Sequence, residues 1–262
     1  MLFVVFWLVM EQKKVYKFTK MQAFGNDFAI FDFRNQPNDK FTRSEVIILT
    51  DKNYGIGCDQ LIVIRKSSKP DDEKGINVAV EVYNGDGTEA LNCGNGVRCI
   101  VGYIARETEK PIVRVQIGDR TMVGKADKSK EYAKVNMGIP NISDDIVEIG
   151  NKHRVVKVDN FGNIDTQPDN EYNIQYFQVR TKKEVFMRSI EIGTGETLSC
   201  GSGTCAVAAY CIKNGITTSP MKIISRGSDI VDSYAEVAWE GEGKPMLLAG
   251  KYSFVFTGEI SI

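Results

Sequence analysis

The sequence predicts an α/β protein, richer in strand than in helix and built as two similar halves. Three observations carry that reading. Short alternating or β-branched runs recur along the chain, helical periodicity is clearest in two stretches, and each of these follows a glycine-rich motif centred on a cysteine.

The strand signals open with Val15 to Phe18 and Phe28 to Phe33, followed by Gln60 to Ile64, Val78 to Tyr83 and Ile112 to Ile117. Val155 to Val158, Ile174 to Val179, Met221 to Ile224 and Tyr252 to Phe256 continue the series. Each run is short and rich in the branched and aromatic residues that fill a pleated, half-buried surface. Helices are expected at Val97 to Glu107 and Thr204 to Asn214, each ending on a stop: Lys110-Pro111 after the first, Asn214-Gly215 at the end of the second.

The halves are defined by an internal echo. Glu89-Ala90-Leu91-Asn92-Cys93-Gly94-Asn95-Gly96 reads against Glu196-Thr197-Leu198-Ser199-Cys200-Gly201-Ser202-Gly203, identical or conservatively changed throughout. A weaker echo relates Gly25-Asn26-Asp27 to Gly150-Asn151-Lys152. The expected division is an N-terminal domain over 10–135 carrying Cys93 and a C-terminal domain over 136–262 carrying Cys200, with the last strands free to return to the first domain. The join is expected between Ala126 and Ser143, where a charge cluster from Asp127 to Glu131 and Pro140 suggest a crossover.

Composition narrows the function. Lys and Arg total 33 against 34 Asp and Glu, a balance that offers no footprint for nucleic acid or an anionic membrane surface and points to a small-molecule partner. The six cysteines are too sparse for a disulfide scaffold and suit a reducing cytoplasm. They form no Cys-x-x-Cys pair and His153 is the only histidine, so no metal is expected. Met1 to Met10 is apolar but falls short of the roughly twenty residues of a membrane span. It also lacks the basic start and cleavage site of a signal peptide. Met10, followed at once by Glu11-Gln12-Lys13-Lys14, is the expected start, with 1–9 an upstream misread or a disordered leader and a short peripheral anchor the alternative.

Each cysteine motif has a chemistry. Glycines let backbone approach a ligand, and the free N–H groups of a helix's first turn favour an anion there. The same partial charge favours a thiolate at the helix start. Two such motifs face to face hold an amino-acid carboxylate between helix starts and a sulfur on each side of the α-carbon. One thiolate removes the α-proton while the opposite thiol returns a proton, inverting the centre without a cofactor. A lone cysteine beside a glycine turn reads as packing, and Cys58, Cys99, Cys205 and Cys211 keep that reading; the duplication sets Cys93 and Cys200 apart.

These motifs resemble the diaminopimelate epimerase family. The likeness rests on Phe24-Gly25-Asn26-Asp27-Phe28, Gly55-Ile56-Gly57-Cys58-Asp59-Gln60, Tyr83-Asn84-Gly85-Asp86-Gly87-Thr88, the stretch Asn92 to Cys99 and the stretch Gly193 to Cys205, in the family's order. The resemblance implies an α/β (α+β) fold of two pseudo-symmetric domains, each a curled, mostly antiparallel sheet around a central helix, with the site in the cleft. It further implies interconversion of LL- and meso-diaminopimelate for lysine and cell-wall precursors, no cofactor, and a homodimer. Cys93 and Cys200 match the catalytic bases. Gly94, Asn95, Gly201 and Ser202 match the carboxylate cradle, and Asn26, Gln60, Asn84, Asn151, Asn173 and Glu191 match the remaining substrate contacts.

Three positions depart from that pattern, the smallest being Gln22 where the family has an early His. Family members carry Glu-Arg before Gly-x-Gly-Glu-Thr, the arginine clamping the substrate's distal carboxylate; here the pair is Glu191-Ile192. The family's Gly-Asn-Pro-His reads Gly150-Asn151-Lys152-His153, so that Lys152 could supply a replacement charge, while His153 reads as structural. No other side chain copies guanidinium geometry. The alternatives are therefore the same chemistry on another amino acid, such as lysine, and a non-catalytic amino-acid-binding protein.

Overall fold

The N-terminal hairpin sets the plan. Val15–Ala23 (β1) and Asn26–Asp32 (β2) pair antiparallel across Phe24-Gly25, both with positive φ (56° and 83°), as a tight two-residue hairpin turn requires. This computed structural model describes residues 13–262 apart from Lys74, Leu91, Glu109 and Asn163, so the expectations for residues 1–9 and for Met10 lie outside the described residues.

Arg43–Thr50 (α1) follows, started by a capping box between Thr42 and Glu45. Gln60–Lys66 (β3) then lies parallel to β2, and Gly75–Asn84 (β4) antiparallel to β3. Gly94–Glu107 (α2) crosses to Ile112–Ile117 (β5), parallel to β4. Arg120–Asp127 (β6) and Tyr132–Gly138 (β7) complete an antiparallel meander. The Asp127 to Glu131 cluster is the tip of the β6–β7 hairpin, and Pro140 lies in the link to the second half.

Asn141–Ser143 (β8) leads into the same plan again. Ile146–Ile149 (β9) and Asn151–Lys157 (β10) form a hairpin, and Asn173–Thr181 (β11) lies parallel to β10. Glu184–Glu191 (β12) is antiparallel to β11 and carries short Gly195–Thr197 (β13) on its edge. Gly201–Lys213 (α3) crosses to Met221–Ser225 (β14), parallel to β12. After the short Arg226–Ile230 (α4), Ala235–Ala238 (β15) and Met246–Lys251 (β16) finish the meander.

The topology repeats element by element: β1 to β7 with α2 correspond to β9 to β12 and β14 to β16 with α3. Equivalent strands β7 and β16 pair antiparallel, and Ser253–Ser261 (β17) returns to pair with β1. The sheet is mostly antiparallel, as expected. Most α2 and α3 residues are buried, packed against β1, β5, β6 and β7 and against β9, β10, β11 and β15 respectively. A helix apolar on nearly all sides is a central one, enclosed by its sheet. A second core of Tyr16, Phe18, Phe31, Phe33, Phe41 and Leu49 lies between α1 and the other face of β1 to β3.

Candidate active site

The repeat puts the polar residues singled out in the sequence at equivalent places. Asn26 and Asn151 begin β2 and β10, just past turn glycines Gly25 and Gly150, which have φ of 83° and 79°. Gln60 and Asn173 begin β3 and β11, while Asn84 and Glu191 end β4 and β12. Cys93 and Cys200 are the N-caps of α2 and α3, followed by Gly94-Asn95 and Gly201-Ser202 in the first turns.

At the first sulfur, Gly96 N–H donates to Cys93 Sγ at 3.2 Å, closing the cap, and the thiol donates to Gln60 Oε1 at 3.0 Å. Gln60 Nε2 in turn donates to Asn84 Oδ1 at 2.8 Å, so three sequence-predicted residues form one chain. Burial pushes the Cys93 thiol up to about 12, against the pull of the Gly96 N–H. The N–H acts in the expected direction, but removal from water outweighs it, so the closed site holds a thiol rather than the thiolate expected from the helix start.

At the second sulfur, Gly203 N–H donates to Cys200 Sγ at 3.4 Å, and Ser202 Oγ lies 3.6 Å from it. Burial drives this thiol well above its ordinary value, and the charge of Glu191, which is also hydrogen-bonded to it, adds to the rise. Burial likewise raises the Glu191 carboxyl, partly offset by its hydrogen bonds to Thr197 and Cys200. The same carboxylate raises Cys93, so Glu191 acts on both sulfurs.

The two helix starts meet. A Cβ on Gly201 would lie 2.9 Å from Asn95 Oδ1 and 3.0 Å from Asn95 N. Asn95 Nδ2 reaches across to Ser199 O at 3.3 Å and also to Asn26 Oδ1 at 3.3 Å. Each half's hairpin turn leans on the other half's cysteine loop: a Cβ on Gly25 would meet Leu198 at 2.7 Å, and one on Gly150 would meet Asn92 at 2.1 Å. Cys93 and Cys200 are only 8% and 6% exposed, so both sulfurs are largely shielded from water.

Asn173 Oδ1 accepts Ile192 N–H at 2.9 Å. The Ile192 side chain is 45% exposed. Arg188 and Arg226 are both engaged by Glu196. Lys152 is exposed, and strand alternation turns it to the face opposite buried His153. His153 contacts Gln175 Nε2 at 3.2 Å, and burial lowers its pKa to about 3, which leaves it neutral and structural. Cys99, Cys205 and Cys211 are fully buried in the helices, in keeping with packing.

Sequence reasoning missed Asp59, which accepts from Asn26 Nδ2 at 2.9 Å and Asp27 N–H at 3.1 Å and so fixes the Asn26 turn. Its place directly before Gln60 was the available signal. Among the described residues no cluster of His, Cys, Asp and Glu is arranged to hold a metal, and no helix is long and apolar enough to cross a membrane.

The family model described as diaminopimelate epimerase matches residues 18–143. The diaminopimelate epimerase of Aromatoleum aromaticum is 30% identical, over 94% of this chain and 99% of its own. Among solved structures, a predicted epimerase from Pseudomonas aeruginosa superposes with a TM-score of 0.72 at 12% identity, over 94% of this chain and 99% of that one. A hydroxyproline epimerase from Agrobacterium vitis gives 0.66 at 12% identity, over 95% and 93%. At such identities the structural likeness speaks for the fold.

Proposed function

The chain belongs to the diaminopimelate epimerase family and is an isomerase, and from that premise we propose that it inverts an amino-acid α-carbon between Cys93 and Cys200 without a cofactor, taking diaminopimelate between its LL and meso forms. The observation that carries the reading is the abutment of two cysteine-capped helix starts at Asn95 and Gly201. Their free N–H groups, from Gly94-Asn95 and Gly201-Ser202, are the donors for the substrate carboxylate. Negative charge spreads onto that carboxylate as the α-proton leaves, and each well-placed donor in a dry site contributes about 3 kcal/mol.

Protonation follows from the same contacts. Both sulfurs rest as thiols, and Glu191 is the group placed to take the Cys200 proton. The Cys200 thiolate then removes the α-proton from one face while the Cys93 thiol donates to the other; the reverse reaction exchanges the roles. In this reading Asn26, Gln60, Asn84, Asn151 and Asn173 are the hydrogen-bonding partners for the rest of the substrate.

Exposed Ile192 and outward Lys152 favour a second reading, in which the same machinery acts on an amino acid without a distal carboxylate, such as lysine. Burying a carboxylate without a cation costs several kcal/mol. Incubation of each amino acid in deuterated water tests both. Exchange at the α-carbon of diaminopimelate supports the first, exchange confined to lysine supports the second, and exchange in neither contradicts the racemase reading for both.

A further inference from the structure

Arg98 is the largest fully buried side chain among the described residues, at 1% exposure, and it lies one turn along α2 from Asn95. Nη2 donates to Asn95 Oδ1 at 2.6 Å, while Nε and Nη1 have no hydrogen-bond partner. The guanidinium stacks on Phe24, 4.8 Å from the ring centroid. No carboxylate among the described residues forms an ion pair with it. A buried arginine is normally paired, because removing a charge from water is costly without compensation.

The surroundings are shaped to keep it there. A Cβ on Gly250 would lie 2.1 Å from Nη1 and 2.8 Å from the Phe24 ring, so this glycine leaves the room that the stack occupies. Phe24 sits in the left-handed region at φ 56°, unusual for a bulky residue, and its ring is the floor under the guanidinium. Cys93 and Cys99 of α2, Cys205 of α3 and Tyr132 of β7 lie within electrostatic range. Both cysteine-bearing helices thus face this cation.

We propose that Arg98 is the positioning residue of the reaction centre: it locks the Asn95 carboxamide and supplies fixed positive charge behind the joined helix starts. Its missing counter-charge is then the anion that arrives or forms during turnover, the substrate carboxylate in front of Asn95 and the thiolate at Cys93. The lock has a direction. With Oδ1 held by Arg98, Asn95 Nδ2 is turned to Asn26 of its own half and to Ser199 of the other, so one contact aligns the cradle across the cleft. The inference rests on the function proposed above, in which the first turns of α2 and α3 take the carboxylate.

The test compares wild type, Arg98→Lys and Arg98→Gln in the full chain. Two quantities are read: the pH dependence of Cys93 alkylation by iodoacetamide, mapped by peptide mass spectrometry, and KM and kcat for whichever amino acid the exchange assay identifies. Arg98→Gln is expected to move the alkylation profile to higher pH and to lower kcat/KM by about 100-fold, chiefly through KM. Arg98→Lys keeps the charge but not the planar fork, so its alkylation profile stays near wild type while its KM rises. A folded Arg98→Gln with wild-type profile and KM overturns the proposal; should that variant not fold, an Arg98→Lys enzyme with unchanged KM does the same. Cys93→Ala separates the two readings: if it still epimerises, the proposed function falls, whereas an inactive Cys93→Ala beside a wild-type-like Arg98→Gln removes the Arg98 role alone.

Discussion

Gly201 lies so close to Asn95 that a single methyl group at 201 would stand 2.9 Å from Asn95 Oδ1 and 3.0 Å from Asn95 N. The two halves of the repeat are thus joined at the first turns of their central helices, where the free N–H groups of both are gathered. Gly201→Ala is expected to force those turns apart. A misplacement near 1 Å in an acid–base centre lowers the rate by about 100-fold, and steady-state kinetics of the variant reads it directly.

In the proposed scheme the two cysteines have separate duties in each direction, so either alone is insufficient. Cys93→Ala and Cys200→Ala are each expected to lower kcat/KM by roughly 10²–10⁴-fold, the range for loss of one acid–base group. Stopped exchange and stopped inversion are measured together by proton resonance and polarimetry. A single variant retaining wild-type inversion contradicts the two-sided scheme.

The fold was legible in the sequence where the repeat was explicit. The cysteine motifs and the Gly25-Asn26 and Gly150-Asn151 echo fall at equivalent turns of two equivalent topologies. Strands were missed where small or charged residues blunt the alternation. β6 turns Met122, Gly124 and Ala126 inward, and Gly124 is there because Val101 of α2 would lie 2.4 Å from any Cβ. β12 alternates Val185 and Met187 with Glu184, Phe186 and Arg188, which reads as mixed surface in one dimension. Arg98 was hidden inside a helical period, although its spacing of three residues from Asn95 places both on one helix face.

Burial of neutral His153 links acid stability to one residue. Its pKa is about 3 in the fold against about 6.5 unfolded, so between those values the unfolded chain binds more protons than the native one. Stability is therefore full above pH ~6.5 and is lost as pH falls through that window. His153→Gln is expected to flatten the decline in melting temperature between pH 6.5 and 4. An unchanged slope contradicts a buried, neutral histidine.

The buried thiols act on the alkaline side. Burial raises Cys205 to about 12, so the native state holds a proton that the unfolded chain releases near pH 8.5. Stability is present below about pH 8.5 and falls as pH rises toward the folded value. Cys205→Ala should show a shallower alkaline fall in melting temperature than wild type, and the pH series measures it.

The central claim, one sulfur on each face of one carbon, is tested most directly by following a single stereoisomer of the exchanging amino acid in deuterated water at early times. Removal and return by different groups place deuterium in the inverted product while recovered starting material keeps its α-protium. Deuterium appearing equally in both from the first turnovers would mean that one group serves both faces, contradicting the assignment of Cys93 and Cys200 to opposite sides.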